Sequence, residues 1–162
     1  MNHSEKAAQL FMDSSNCAQA VVVAFSDLTG LDESFSAKLS CSFGGGMGRM
    51  REVCGAVSGM LMVAGLLYGY DDPGEKDCHK KAHYQLVQHL SARFREEIGS
   101  IVCREILKNP PSDPNPTPRT EEFYKTRPCV RMVMTAARIL DEYIAAHPIK
   151  PSPEGKVDSK TP

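Results

Sequence analysis

Val53-Cys54-Gly55-Ala56-Val57-Ser58-Gly59-Met60-Leu61-Met62-Val63-Ala64-Gly65-Leu66-Leu67-Tyr68-Gly69-Tyr70 is the stretch on which the fold turns. It runs for 18 residues without a charge, the short end of what a transmembrane helix needs. Glycines and a serine interrupt it, and Asp71-Asp72 follow at once. The flanking segments place their apolar residues at helical intervals, as amphipathic helices of a soluble bundle do. The stretch is therefore expected to be a buried central helix over about Glu52 to Leu67, with no membrane span. Gly55, Gly59 and Val63 fall in one row along it, and Ala56, Met60 and Ala64 in the next. Small residues at this spacing let another helix or a cofactor come close.

Working outward, no segment alternates as a strand does, and helical periodicity dominates. A short helix is expected over Glu5 to Met12. A second runs from about Asn16 to Leu28, with Ser14-Ser15-Asn16 supplying cap oxygens and Gly30 a left-handed stop. Asp32 to Ser42 forms a third. Phe43-Gly44-Gly45-Gly46-Met47-Gly48 is too rich in glycine for a helix. Asp72-Pro73-Gly74 reads as a turn. The longest helix covers Glu75 to Glu97, its apolar stripe carried by His83, Leu86, Val87, Leu90 and Phe94. A short one spans Ser100 to Lys108. Five prolines between Asn109 and Pro118 exclude a helix there. The last helix begins near Arg127-Pro128, with Pro128 suited to its first position. It turns Cys129, Met132, Val133, Ala136, Leu140 and Tyr143 inward. The expectation is an all-α, single-domain helical bundle over residues 1–148, with a Gly-rich and a Pro-rich loop. A disordered polar tail follows over residues 149–162.

Composition narrows the function. A chain of 162 residues buries a core without staples. The net charge of −1 and scattered basic residues argue against nucleic-acid binding. The start, Met1-Asn2-His3-Ser4-Glu5-Lys6, does not read as a secretory signal. A cytoplasmic setting is expected, where thiols stay reduced and serve metal binding or redox chemistry.

Six cysteines are spread one per segment, with no Cys-x-x-Cys pair. Cys54 lies at a helix start, where free amides and the positive dipole end stabilise a thiolate. The glycines before it add further amides. A small core residue beside a tight turn is the equal alternative. Cys17, Cys103 and Cys129 also lie near helix starts on apolar faces. Each alone reads as core, but together they offer four sulfurs for an iron–sulfur cluster or zinc. His79 and His83, one helical turn apart beside Cys78, lack the glutamate of a zinc-protease motif and read as solvated positions. The glycine loop is neither a Walker A motif nor a dinucleotide fingerprint.

Asn16-Cys17-Ala18-Gln19-Ala20, Gly44-Gly45-Gly46, Cys54-Gly55-Ala56 with Gly59, Cys103 and Cys129 together resemble the C_GCAxxG_C_C family of small redox-active bacterial proteins. The resemblance covers residues 4 to 146. It implies an electron-transfer or redox role, compatible with a bound iron–sulfur cluster, and leaves the ligand set open. The leading expectation is that Cys17, Cys54, Cys103 and Cys129 converge on one site and hold such a cluster, with Gly55 and Gly59 beside it. The split-Soret cytochromes look like relatives that add haem. This chain has no Cys-x-x-Cys-His, so no c-type haem is expected. Cys41 and Cys78 are additional to the family pattern. A redox partner protein or small electron carrier is implied, with no membrane partner, and a homodimer is compatible. Two other readings stand beside this one. The first is a metal-free thiol–disulfide protein with Cys54 as nucleophile and a depressed thiol pKa. The second is a non-catalytic helical interaction module.

Overall fold

The computed structural model describes residues 2–71 and 77–149. Among them every regular element is helical, and the only pairing of strand type is an isolated antiparallel bridge between Val53 and Val102. The expected turn at Asp72-Pro73-Gly74 and most of the expected tail lie outside the described residues.

Local sequence explains most helix boundaries. α1 (His3–Met12) starts two residues earlier than its apolar pattern indicated. Asn2 and Glu5 form a reciprocal capping box that satisfies two otherwise free amides. α2 (Cys17–Ala24) is capped the same way by Asn16 and Gln19. The expected continuation to Leu28 is broken at Phe25, and a separate turn, α3 (Ser26–Thr29), follows before Gly30 closes it at φ +70°. α4 (Glu33–Ser40) is capped by Asp32 and tightens into a 3-10 turn over Cys41–Phe43. The single turn α5 (Gly44–Met47) is helical only in outline, because Gly45 and Gly46 adopt left-handed backbone. α6 (Gly55–Tyr68) is the central apolar helix, with Cys54 as its N-cap. No helix among the described residues is long and apolar enough to cross a membrane.

α7 (Asp77–Ile98) buries Leu86, Leu90 and Phe94 and ends at Gly99, with φ +99°. α8 (Cys103–Ile106) is one turn, much shorter than the expected Ser100 to Lys108. The residues after it leave the helix, with Lys108 and Asn109 in left-handed backbone. α9 (Glu121–Thr126), capped by Thr120, has no counterpart in the sequence reading. It lacks a buried residue, so it carries no periodic apolar signal. α10 (Cys129–Ala146) has the expected inward face, with Met132, Val133, Ala136 and Leu140 buried. Pro128 sits at its N-cap, one position before the expected first turn.

α2 is the hub of the bundle, contacted by α1, α4, α6 and α10. Its residues Ala18 and Ala20 to Phe25 are buried all round, at roughly 1.5–3 kcal/mol for each large apolar side chain. α6 approaches it closely because Gly59 has no side chain. A Cβ there would lie 2.8 Å from the Ala18 carbonyl oxygen and 3.0 Å from Val21 Cβ. The small-residue row thus admits a neighbouring helix.

Candidate functional site

Local chemistry sets each of the four cysteines at a helix entrance. Asn16 Oδ1 accepts from the Ala18 and Gln19 amides, which makes Cys17 the first residue of α2. The same side chain donates through Nδ2 to the Cys41 carbonyl, 2.9 Å away, and ties the α4 end to this entrance. Cys54 is the N-cap of α6, Cys103 the first residue of α8, and Cys129 the first of α10.

The Val53–Val102 bridge brings two of these entrances together. The Cys54 amide donates to the Ile101 carbonyl at 2.8 Å, and the Cys103 amide to the Glu52 carbonyl at 2.6 Å. Two residues far apart in sequence are thereby held on one crossing. Gly55 brings α6 against Cys17. A Cβ at Gly55 would collide with the Cys17 sulfur and lie 2.8 Å from the Phe43 carbonyl oxygen.

All four cysteines line one cavity of about 250 Å³. Cys41 and Gly55 line it too. Gly59 does not: it packs in the α2–α6 contact. Cys78 is exposed and lies outside this cavity, as do His79 and His83. His79 and His83 flank a separate hollow with Tyr70 and Tyr143. His83 is half-buried, with its ring edge-on to Tyr70, so it is less solvated than its sequence position indicated.

The cavity's electrostatics come from opposing causes. All six cysteines are free. Burial pushes the Cys54 thiol well above its ordinary value, and neighbouring Cys17 adds to this. The Ala56 and Val57 amides pull the other way without reversing it. No regular capping hydrogen bond forms to the sulfur. Burial likewise raises Cys103, against the opposing pull of Arg51. Cys129 is pushed up to about 12, by burial first and then by Cys17, with Arg127 opposing. The depressed thiol pKa expected of Cys54 as an attacking nucleophile is therefore not found. Desolvation outweighs the helix entrance, and these thiols are neutral near pH 7.

Arginines are the part of the site that sequence reasoning missed. Arg49, Arg51, Arg119 and Arg127 all line the cavity. Arg49 and Arg51 adopt left-handed backbone, at φ +68° and +63°, a conformation that non-glycine residues hold mainly where surrounding contacts impose it. The Pro-rich loop supplies those contacts. Arg49 donates to the Asp113 carbonyl and to Thr117 Oγ1, and Arg51 Nε donates to the Pro111 carbonyl at 2.9 Å. Arg119 donates to the Phe11 and Ser15 carbonyls and lies 4.6 Å over the Phe11 ring. The only local hint was the basic content around the glycine and proline loops, which does not say where guanidiniums point.

Among the described residues no three histidine, cysteine or carboxylate side chains meet as a site for a metal ion. The sulfurs surround a space and do not close on one point. The model of the family described as "Putative redox-active protein (C_GCAxxG_C_C)" matches residues 15–143. The chain belongs to this family. No curated protein and no solved structure matches it.

Proposed function

We propose that this member of the family is an electron-transfer protein in which Cys17, Cys54, Cys103 and Cys129 hold an iron–sulfur cluster. One observation carries the reading: four sulfurs from four helix entrances line a single cavity of about 250 Å³. The donor set is all thiol, which suits iron–sulfur clusters. A polynuclear cluster needs its thiolates spread around it. Among the described residues no single-ion site is formed, and the four sulfurs line a wider space.

When bound, the cluster would supply one-electron chemistry. The chain's own part is to position sulfurs and control their protons. Cys54, Cys103 and Cys129 are held as neutral thiols by burial, so ligation requires each to lose its proton. The N-terminal ends of α2, α6 and α10, helices of 8, 14 and 18 residues, face the thiolates and offset their charge. The apolar walls, Phe11, Ile106 and Met132 among them, limit water at the site. Electrons would be exchanged with a partner protein or a small carrier.

The test is the visible absorption of protein purified without oxygen, with iron and acid-labile sulfide measured on the same sample. A brown protein with iron and sulfide in near whole-number ratio to the chain is expected. Absence of both, even after reconstitution, overturns the reading.

A further inference from the structure

Cations and sulfurs share the walls of the cavity. Cys17 and Cys54 meet the small side of α6 at Gly55. Guanidiniums flank Cys103 and Cys129: Arg51 and Arg127 act on the first, Arg127 and Arg119 on the second. No aspartate or glutamate is among the residues that line the cavity. Asp113, at 3.5 Å, answers Arg49. Arg51, Arg119 and Arg127 form no ion pair among the described residues.

Arg51 is the sharpest sign that something is meant to sit there. It is 3 % exposed, and its Nη2 is buried with no hydrogen-bond partner. The guanidinium also hydrogen-bonds the Cys103 sulfur, while Nη2 is left unanswered, a costly arrangement that native interiors avoid. The side chain is not free to withdraw, because Nε is fixed on the Pro111 carbonyl and the backbone is held in a left-handed conformation. Arg119 is equally fixed by its two carbonyls and by stacking on Phe11. Arg127 lies 5.4 Å from the Phe123 ring, and none of its side-chain donors is engaged by a described residue. Arg127 thus keeps its donors free, Arg51 and Arg119 spend part of theirs in holding position, and apolar walls strengthen their field.

We propose that Arg51, Arg119 and Arg127 form an oxyanion-binding wall of the cavity, beside Cys103 and Cys129. It takes a compact, doubly charged inorganic anion of the sulfate class. Guanidiniums suit such oxygens because their N–H groups pair with them in parallel. The volume of about 250 Å³ lies just below the usual range for drug-sized ligands, which favours a compact anion. The anion would lie beside two cysteines, where a redox-active protein would hold a small oxyanion substrate or effector. Cluster and anion would fill the same cavity, so this inference concerns the protein without a cluster.

The test is calorimetric titration of the full chain with sodium sulfate at low ionic strength, on protein whose iron and sulfide content has been measured. Saturable one-site binding is expected. Arg51→Met should weaken it by roughly 10- to 100-fold, the loss of a charge-assisted hydrogen bond, and Arg51→Lys by less. Arg127→Gln, which removes no described hydrogen bond, should weaken it several-fold. It decides the question if Arg51→Met fails to fold. Absence of binding overturns the inference, as does binding that chloride at equal ionic strength reproduces or that both variants leave unchanged. Sulfate binding by protein that takes up no iron or sulfide on reconstitution would sustain this inference while the cluster reading fell. Iron-free protein that ignores sulfate yet takes up iron and sulfide on reconstitution would do the reverse.

Discussion

Replacing Gly55 by alanine should open the site from its most crowded point. The added Cβ would overlap the Cys17 sulfur and lie 2.8 Å from the Phe43 carbonyl oxygen and 3.2 Å from the Ala18 amide nitrogen. The sulfur can rotate away, but the carbonyl and amide are backbone and cannot yield without moving α2 or the 3-10 turn. Overpacking of this kind costs about 1–3 kcal/mol. Alanine's helix propensity offsets at most about 1 kcal/mol in a helix interior and less in the first turn. A net loss of about 1–2 kcal/mol is expected, or roughly 2–8 °C in Tm for a chain of this size. Gly59→Ala serves as the control. Its Cβ would lie 2.8 Å from the Ala18 carbonyl oxygen, so its packing cost is similar, but it does not touch the cavity. Urea unfolding followed by circular dichroism gives the stability change. Timed alkylation of native protein gives the exposure of the Cys17 thiol. Gly55→Ala should speed labelling of Cys17, while Gly59→Ala should not. Unchanged stability and labelling in Gly55→Ala would refute the close-approach argument, and equal labelling in the two variants would detach Gly55 from the site.

Other outcomes follow from named contacts. Asn16→Ala removes the α2 cap and the bond to the Cys41 carbonyl and should cost about 1–2 kcal/mol in urea unfolding. Arg119→Met keeps much of the stacked volume but loses two hydrogen bonds to main-chain carbonyls. It should destabilise by about 2 kcal/mol and free the Pro-rich loop for limited proteolysis, and an unchanged cleavage pattern would remove that loop's role as a cover. In metal-free protein, stability should fall as pH rises above about 9. The unfolded Cys129 thiol ionises near its ordinary value of 9.0, while the folded one stays protonated to about 12, so the folded state holds the extra proton and stability drops with pH. Cys129→Ala should flatten that slope in urea midpoints measured from pH 8 to 10.5. In iodoacetamide labelling at pH 8, exposed Cys41 and Cys78 should react well before Cys54 and Cys103.

Much of this molecule can be read along the chain, because the forces responsible are local. Asn16 and Asp32 announce helix starts by side-chain oxygens that reach amides two or three residues on. Gly30 and Gly99 mark stops because left-handed backbone suits them. The inward face of α10 follows from its 3.6-residue period, and the small-residue row of α6 foretells a close neighbour. The four cysteines could be singled out on the same terms, since each lies near a helix start and the motif around Cys54 is distinctive. What local pattern could not reveal is where those starts point. Convergence depends on the Val53–Val102 bridge, on Gly55 meeting Cys17, and on Asn16 reaching across to Cys41. The sign of the thiol pKa shifts also belongs to tertiary structure. An entrance to a helix favours the thiolate, yet burial by the whole bundle outweighs it at Cys54. The four arginines that line the cavity are the clearest case. Arg49 and Arg51 are separated by about 70 residues from Arg119 and Arg127, and only the fold of the Pro-rich loop over the glycine turn sets their guanidiniums around one cavity. Sequence alone thus indicates most helices and caps and nominates the sulfurs. The charge, volume and protonation of the site arise from contacts between residues far apart in the chain.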